Sequence, residues 1–281
     1  MDDRTIKKLD DSAISDRLMQ LRPIDDMFFR LLSERKEVCQ EIIETLLMKE
    51  CSTVTKASPQ HTLIGMNRSA ILDVLCEMMK EGLVNIEVQK DTRNDDLRRA
   101  RFHASLITSI FTPKNVPFSG VPDVKVIYIS EYDALGTGRP VAKILNQRHN
   151  SDGTVNEVAN GEEIYFATSA VQDDSKASRL LQRMVDSTAF TDPEFPHLSE
   201  AVRYFKCTKE GNNNMCKLSQ ELKDMGREEG REEGRKEGKE EGRKEGKLEL
   251  LVSLINDGLF TIEDVVKKYG FTEQQILQAM K

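Results

Sequence analysis

The spacing of hydrophobic and polar residues along the chain predicts a mixed α/β domain. Apolar residues recur at helical spacing from Asp25 to about Met48, which predicts one helix or a broken pair. A weak strand pattern within Cys51–Leu63 precedes two strongly apolar runs that flank Lys80-Glu81-Gly82, an arrangement typical of a β-hairpin. The remaining predicted elements are a helix to about Phe111, strands at Val124–Ser130 and Glu163–Thr168, and helices between Lys176 and Phe205. This order favours a mixed sheet flanked by helices.

Three oxygen-bearing side chains interrupt the apolar pattern of the hairpin. A glycine that closes a three-residue turn fixes the register, and with Met79 opposite Leu83, Asp73 lies across from Gln89. Glu87 is two residues before Gln89 and therefore shares a sheet face with it and with Asp73. Two carboxylates this close repel each other unless one is protonated or a cation bridges them, and hard oxygen ligands favour Mg²⁺ or Mn²⁺ over zinc.

The same alternation has a second interpretation. Apolar residues alternate with Asn85, Glu87 and Gln89, which also suits a sheet with one buried face and one solvated polar face. The spacing alone leaves both interpretations open.

Basic residues follow the hairpin directly. Lys90, Arg98, Arg99 and Arg101 precede or open the next helix, so they would lie beside the proposed metal centre and are the candidate DNA-binding residues. The alternative is an ordinary charged helix surface.

Several motifs resemble those of one nuclease family. Asp73 followed by Glu87-Val88-Gln89 resembles the Asp…Glu-x-Gln form of the PD-(D/E)XK nuclease signature, as found in Rpn-type recombination-promoting nucleases, also called PD-(D/E)XK family transposases. The stretch Pro23–Arg30 resembles that family's opening Pro-x-x-Asp-x-x-Phe-Lys helix, and Arg99–Ser105 resembles its Arg-x-x-Tyr-Tyr-x-Ser helix. Val126–Gly136 is similar to the family's next strand and turn, so the resemblance covers roughly residues 20–230.

The resemblance implies a restriction-endonuclease-like fold and a Mg²⁺-dependent DNA endonuclease, with Mn²⁺ as a possible substitute, that acts in recombination or transposition. It implies that Asp73 and Glu87 hold the metal ion, with the carbonyl of Val88 as an extra ligand. Asp26 on the opening helix could add a carboxylate, or could serve as a helix cap or an exposed turn residue.

In the same alignment of motifs, Gln89 takes the place usually held by a lysine. An amide can position water or phosphate but supplies no positive charge. Lys90 points to the other face of an ideal strand, so Arg99 or Lys80 is expected to supply the charge. His103 stands where the family often has an aromatic residue, and we interpret it as a packing residue.

Composition indicates a cytoplasmic protein that does not span a membrane. The 281 residues contain no apolar run near the ~20 residues that a membrane helix needs, and the start of the chain lacks the pattern of a secretory signal. The five cysteines are scattered, which favours reduced thiols. A net charge of −7 argues against coating of nucleic acid by charge alone, but it permits a local basic strip.

The chain is predicted to have four parts, namely a loose segment at 1–20, the nuclease-like domain at 21–225, a four-residue repeat at 226–247 and a small helical module at 248–281. In the repeat, every fourth residue is a glycine, a basic residue follows each glycine, and a glutamate precedes the next one. On a helix these residues would form a column of glycines between a basic column and an acidic column, but the isolated segment should be a poor helix because of its glycines. Residues 226–281 could mediate homo-oligomer formation through these columns and the module, or the repeat could be a solvated spacer.

The module carries two helix-start signals. Thr261 with Asp264 three residues later, and Thr272 with Gln275, have the pattern of capping boxes.

Two other functions stay open on the sequence alone. The chain could be a catalytically silent DNA-binding or assembly protein of the same fold, or an enzyme that cleaves RNA or another phosphodiester.

Overall fold

A computed structural model describes residues 18–91 and 95–280 of the chain. Most of the segment predicted to be loose, residues 1–17, lies outside these residues. The chain divides into a larger unit, Met1–Ser219, and a smaller unit, Gln220–Lys281, and the division falls inside one long helix.

The elements are close to those that the sequence predicts. The helices are α1 (Asp26–Ser33), α2 (Lys36–Leu47), α3 (Asp96–Phe111), α4 (Lys176–Met184), α5 (Pro196–Cys207), α6 (Lys209–Asn256), α7 (Ile262–Tyr269) and α8 (Glu273–Ala279). The strands are β1 (Val54–Leu63), β2 (Ala70–Met78), β3 (Gly82–Gln89), β4 (Val124–Ser130), β5 (Val141–Ile144), β6 (Gln147–His149), β7 (Val155–Glu157) and β8 (Glu162–Thr168). The opening helix is therefore a broken pair, α1 and α2.

The larger unit is built on a mixed six-stranded sheet in the order β1-β2-β3-β4-β8-β5. Neighbours β1/β2, β2/β3 and β5/β8 run antiparallel, whereas β3/β4 and β4/β8 run parallel. Strands β6 and β7 form a separate two-stranded sheet. The prediction of an α/β fold with a mixed sheet flanked by helices is confirmed.

Helix α3 covers the sheet face that carries the polar residues of β3. Its buried Ala100, Ala104 and Ile107 pack in one core cluster with Val126 and Tyr128 of β4. In the register of the parallel pair, Val126 and Tyr128 lie beside Asn85 and Glu87, and residues side by side on adjacent strands point to the same face. The polar residues of β3 therefore lie under α3 and not in open solvent.

Helices α1, α2 and α4 pack against the opposite face of the sheet. The neighbouring thiol of Cys39 on α2, followed by burial, raises the pKa of the Cys76 thiol on β2 well above its ordinary value. All five cysteines are free thiols.

The predicted register of the hairpin is wrong by one position on each strand. Met78, not Met79, pairs with the strand that follows, and its partner is Gly82. The connecting residues are therefore 79–81. Gly82 has a φ of +77°, and a Cβ at this position would clash with the Asp123 carbonyl oxygen, so only glycine fits there. Asp73 consequently lies at the level of Glu87 instead of Gln89. Because both strands shift together, the residues keep the predicted shared face.

The beginning of the described chain is tied to the core. Leu18 is buried, and the ammonium of Lys206 on α5 donates hydrogen bonds to the carbonyl oxygens of Met19, Leu21 and Ser187. Burial lowers the pKa of Lys206, and these three carbonyl oxygens provide the hydrogen bonds that its ammonium form needs. Residues 18–21 are thus part of the packed unit and not a loose segment.

The smaller unit has its own apolar core. Leu251, Val252, Val265 and Ile276 are buried together. Both capping boxes are confirmed. The Thr261 and Thr272 side chains accept from the backbone N–H groups three residues on, and the N3 side chains accept in return. The glycine-rich repeat lies within helix α6. Within residues 18–91 and 95–280, no helix combines the length and apolar character needed to cross a membrane.

Candidate functional site

A cleft of about 700 Å³ opens where the end of β3, the start of β2 and the first turns of α3 meet. Three acidic residues that the sequence singles out, Asp26, Asp73 and Glu87, all line it. Asp26 belongs to the first turn of α1, so the fold brings a carboxylate from outside the hairpin to the same cleft. Val88 and Gln89 line the cleft as well.

The carboxylates of Asp73 and Glu87 come from adjacent strands. The backbone N–H of Asp73 donates to Oε1 of Glu87 at 3.4 Å, and Oδ2 of Asp73 accepts from the backbone N–H of Val88 at 2.8 Å. These bonds are between β2 and β3 at the point where the regular pairing ends, beyond the Val74–Ile86 pair. At this point, hydrogen bonds from backbone N–H groups to the two carboxylates take the place of the backbone-to-backbone bonds of the sheet. These bonds hold the two acids close together.

Burial raises the pKa of Asp73 to about 8, with the negative charge of Glu87 as the second cause and that of Asp26 as a smaller one. The Val88 N–H and the Arg99 guanidinium act in the opposite direction but do not compensate. Without a cation, Asp73 therefore carries a proton at neutral pH. A divalent ion would displace that proton and relieve the repulsion between the two carboxylates.

Glu87 is almost fully enclosed, with 2% of its surface exposed. Its Oε1 accepts from Nδ2 of Asn85 at 2.8 Å and lies 3.3 Å from Nδ1 of His103 on α3. His103 is buried, as expected for a packing residue, but its ring nitrogen faces the acid. The sequence offers one signal for this contact, since His103 is four residues after Arg99 and so shares its helix face.

Basic side chains form another part of the cleft lining. They are Arg68 of the β1–β2 loop, Lys90, and Arg98 and Arg99 of α3. Nη1 of Arg99 donates to Oε1 of Gln89 at 3.1 Å, so the guanidinium stands beside the amide. Arg101 is exposed and does not line the cleft.

Two expectations about the lysines are wrong. Lys90 does line the cleft, because β3 ends at Gln89 and strand alternation no longer directs the next side chain. Its Nζ lies 3.2 Å from Oδ1 of Asp25. Lys80 is in the hairpin turn at the other end of β3 and cannot supply charge to the cleft.

Asp25 is a buried residue that sequence reasoning missed. Its carboxylate accepts hydrogen bonds from the backbone N–H and the guanidinium of Arg22. The same guanidinium forms an ion pair with Glu131 at 2.7 Å. Burial alone would raise the pKa of Asp25, but the bonds from Arg22 and Lys90 lower it below its ordinary value. The ionised Asp25 therefore holds Lys90 at the edge of the cleft.

Asp96 anchors the start of the helix that carries the basic residues. Its Oδ1 accepts from the hydroxyl groups of Tyr128 at 2.6 Å and Tyr132 at 2.8 Å. Burial, followed by the bond to Asp96, raises the pKa of Tyr132 to about 12, so both phenols donate. This contact fixes the first turn of α3 against β4.

A comparison of the chain with protein-family models, with curated proteins and with solved structures finds no match.

The donors in the cleft suit a magnesium-type ion. Among residues 18–91 and 95–280, no three His, Cys, Asp or Glu side chains are grouped so that they alone could hold a metal. Mg²⁺ does not need such a cage, since it is usually held by one or two carboxylates and completes its shell with water and substrate phosphate. Asp73 and Glu87, with the backbone carbonyl of Val88, match that requirement, and a cation bound between the two carboxylates would offset the repulsion from Glu87 that is the second cause of the raised pKa of Asp73.

Proposed function

We propose that this chain is a divalent-metal-dependent endonuclease that hydrolyses phosphodiester bonds of DNA. The observation that carries the proposal is the pair Asp73 and Glu87, which lies in a cleft lined by Lys90, Arg98 and Arg99. Two acids that repel each other beside several fixed cations suit a metal ion and a phosphate group better than they suit a neutral ligand.

The order of elements supports a restriction-endonuclease-like fold and the Rpn-type family that the motifs resemble. The acids lie on a β-hairpin inside a mixed sheet, and the helix that follows the hairpin covers their face of the sheet. A role in recombination or transposition, in the cytoplasm, is part of the same proposal.

The two acids and the two arginines of the cleft then have distinct roles. Asp73, Glu87 and the Val88 carbonyl would hold Mg²⁺ or Mn²⁺, which when bound lowers the pKa of a coordinated water and offsets charge on the phosphate. Arg98 and Arg99 hold phosphate oxygens by charge-assisted hydrogen bonds.

Gln89 and Arg99 act as a pair. Gln89 is fixed by its bond from Arg99 and can orient a water or a phosphate oxygen, but it supplies no charge. Because the guanidinium is 3.1 Å from the amide oxygen, Arg99 supplies the positive charge that a lysine would bring.

The proposal is tested by incubating the full-length protein with supercoiled plasmid DNA in Mg²⁺, in Mn²⁺ and in EDTA. We expect nicked and then linear plasmid with either metal and no cleavage in EDTA. The double variant Asp73→Asn/Glu87→Gln, purified in the same way, controls for contaminating nucleases and should leave the plasmid intact. Intact plasmid with the wild-type protein in both metals would refute the enzymatic proposal.

A catalytically silent DNA-binding protein is the second candidate, and one observation favours it. Gln89 is neutral, so the cleft lacks a lysine at the position next to the acids. Such a protein would retard DNA in a gel shift without cutting it. Parallel cleavage and binding assays, with an RNA substrate of the same sequence included, separate the two candidates and test the choice of DNA.

Replacing Arg98 and Arg99 with glutamine should weaken DNA binding at every sequence tested. Each lost phosphate contact reduces the slope of log K against log [salt] by about 1, so the double variant should lose about 2 from that slope. Titrations of a fluorescent duplex at several salt concentrations measure this. The exposed Arg101→Gln, which leaves the cleft unchanged, is the matched control and should change the slope least.

A further inference from the structure

Two buried polar atoms without a hydrogen-bond partner lie in residues that contact Glu87. Within the described part of the chain, three buried side-chain atoms lack a partner, and they are Thr45 Oγ1, Asn85 Oδ1 and His103 Nδ1. Two of the three belong to side chains that touch Oε1 of Glu87. Unsatisfied buried groups cost stability and are rare, so their concentration around one acid calls for a functional explanation.

The geometry around Glu87 is one-sided. Asn85 Nδ2, His103 Nδ1 and the Asp73 N–H all approach the same oxygen, Oε1, at 2.8, 3.3 and 3.4 Å. The His103 contact has the distance of an ion pair without the alignment of a hydrogen bond, because His103 Nδ1 is also without a hydrogen-bond partner. Held by Oε1, Glu87 cannot turn away from Asp73, and its other oxygen is left for a ligand.

Asn85 and His103 reach Glu87 from two different elements. Asn85 is two residues before Glu87 on β3, so the two side chains lie on the same face of the sheet. His103 belongs to α3, which covers that face. Asp96, through its bonds to Tyr128 and Tyr132, fixes the start of that helix. The position of the ring above Glu87 is therefore set by the packing of α3 on the sheet and not by a flexible loop.

We propose that Asn85 and His103 are positioning residues that hold Oε1 of Glu87 so that the carboxylate is pre-oriented for a divalent ion. This inference rests on the proposed function, because it assigns Glu87 to the metal. In this role His103 orients Glu87 in addition to packing against the sheet. Asn85 is fully buried because its amide nitrogen donates to the same carboxylate. Partners of this kind around a metal ligand typically change metal affinity or activity by roughly 10- to 100-fold when removed.

The test compares His103→Leu, which keeps the volume but removes the nitrogen, with His103→Asn, whose amide can replace Nδ1. Binding of Mn²⁺ to the full chain is measured by calorimetry, and cleavage is measured as kcat and KM. We expect His103→Leu to bind Mn²⁺ roughly 10- to 100-fold more weakly and to lose kcat with little change in KM. His103→Asn should restore most of the affinity.

Asn85→Leu provides a second variant of similar size, because it removes the amide that donates to Oε1. It should also weaken Mn²⁺ binding by at least about tenfold. His61→Leu, a half-buried histidine that does not line the cleft, is the control and should bind Mn²⁺ like the wild type. Melting curves in EDTA identify any variant that fails to fold.

The outcomes separate this inference from the function on which it rests. Wild-type protein that binds no Mn²⁺ would overturn the proposed function and this inference with it. Wild-type protein that binds Mn²⁺ while folded His103→Leu and Asn85→Leu bind it equally well would overturn only the role of the two residues. A folded His103→Asn that is as weak as His103→Leu would overturn the role assigned to the ring nitrogen.

Discussion

Asp73→Asn should abolish metal-dependent cleavage and at the same time stabilise the ion-free protein. The amide keeps the shape and can still accept from the Val88 N–H, but it is a poor ligand for a hard cation. We expect the cleavage rate in Mg²⁺ to fall by roughly a thousandfold, the scale of losing a group that stabilises charge in the transition state. The opposite signs of the two effects are the diagnostic feature, because an ordinary disruptive substitution lowers both stability and activity.

The gain in stability has a defined pH dependence. In the folded, ion-free protein the pKa of Asp73 is raised to about 8, whereas in the unfolded chain it is about 4. Between these values the folded state binds the extra proton, so the stability of the wild-type protein falls as the pH rises from about 4 to about 8. Asp73→Asn lacks this decline. It should exceed the wild type by about 1 to 2 kcal/mol at pH 8 and match it most closely near pH 4, after discounting for the partial exposure of the side chain.

Urea unfolding in EDTA at pH 5, 6, 7 and 8 measures this difference. Adding Mn²⁺ should raise the stability of the wild type and leave Asp73→Asn unchanged, because a ligand stabilises only the protein that binds it. Glu77→Gln is the matched control, since Glu77 lies four residues further along β2 in an exposed ion pair with Lys56. Its stability should depend on pH and respond to Mn²⁺ as that of the wild type does. A difference between Asp73→Asn and the wild type that is independent of pH would contradict the assigned repulsion.

The shared face of Asp73 and Glu87 was predictable from the sequence for a physical reason. Side chains alternate strictly along a strand, so a register error of one position on each strand moves the partners without changing the face. The turn residues gave the hairpin but not its exact pairing, because a three-residue connection can begin at either of two positions around Gly82. The sequence therefore predicts which side chains share a face of the sheet, but it does not predict which residue lies directly opposite Asp73.

The contacts that come from distant parts of the chain could not be predicted. His103 meets Glu87 only because α3 packs across the sheet, and Asp25 meets Lys90 only because α1 begins beside the end of β3. Neither distance is fixed by local spacing. Arg101 belongs to the same basic run but does not line the cleft, and its role in DNA binding stays a prediction.

The helical repeat is another case in which local propensity and structure disagree. The six glycines lower helix propensity by about 1 kcal/mol each, yet they lie within the 48-residue helix α6. Apart from the chain neighbours and the adjacent backbone of the helix itself, no described atom lies within 4 Å of where a Cβ would stand at any of Gly226, Gly230, Gly234, Gly238, Gly242 and Gly246. The fold of the single chain therefore does not require glycine at these positions, and either repeat expansion or a second copy of the chain explains them.

Replacing all six glycines of the repeat with alanine should strengthen this helix by about 6 kcal/mol in total, because alanine restores propensity and meets no obstacle. Hydrogen exchange of the amides in residues 226–246 should slow by about fivefold for each alanine. A control variant with serine at the same six positions should show a smaller gain, because serine has a lower helix propensity than alanine. Exchange that does not slow would contradict a helical repeat.

The same variants separate a solvated spacer from a self-associating surface. If the repeat is a spacer, light scattering coupled to gel filtration should give the same mass for the alanine variant and the wild type. If the helices of two copies approach closely along the column of glycines, the added methyl groups would keep the two backbones apart. The alanine variant should then have a lower mass than the wild type despite its stronger helix. Cleavage of plasmid by the alanine variant then reports whether the site on the larger unit needs that assembly, since no residue of the cleft is changed.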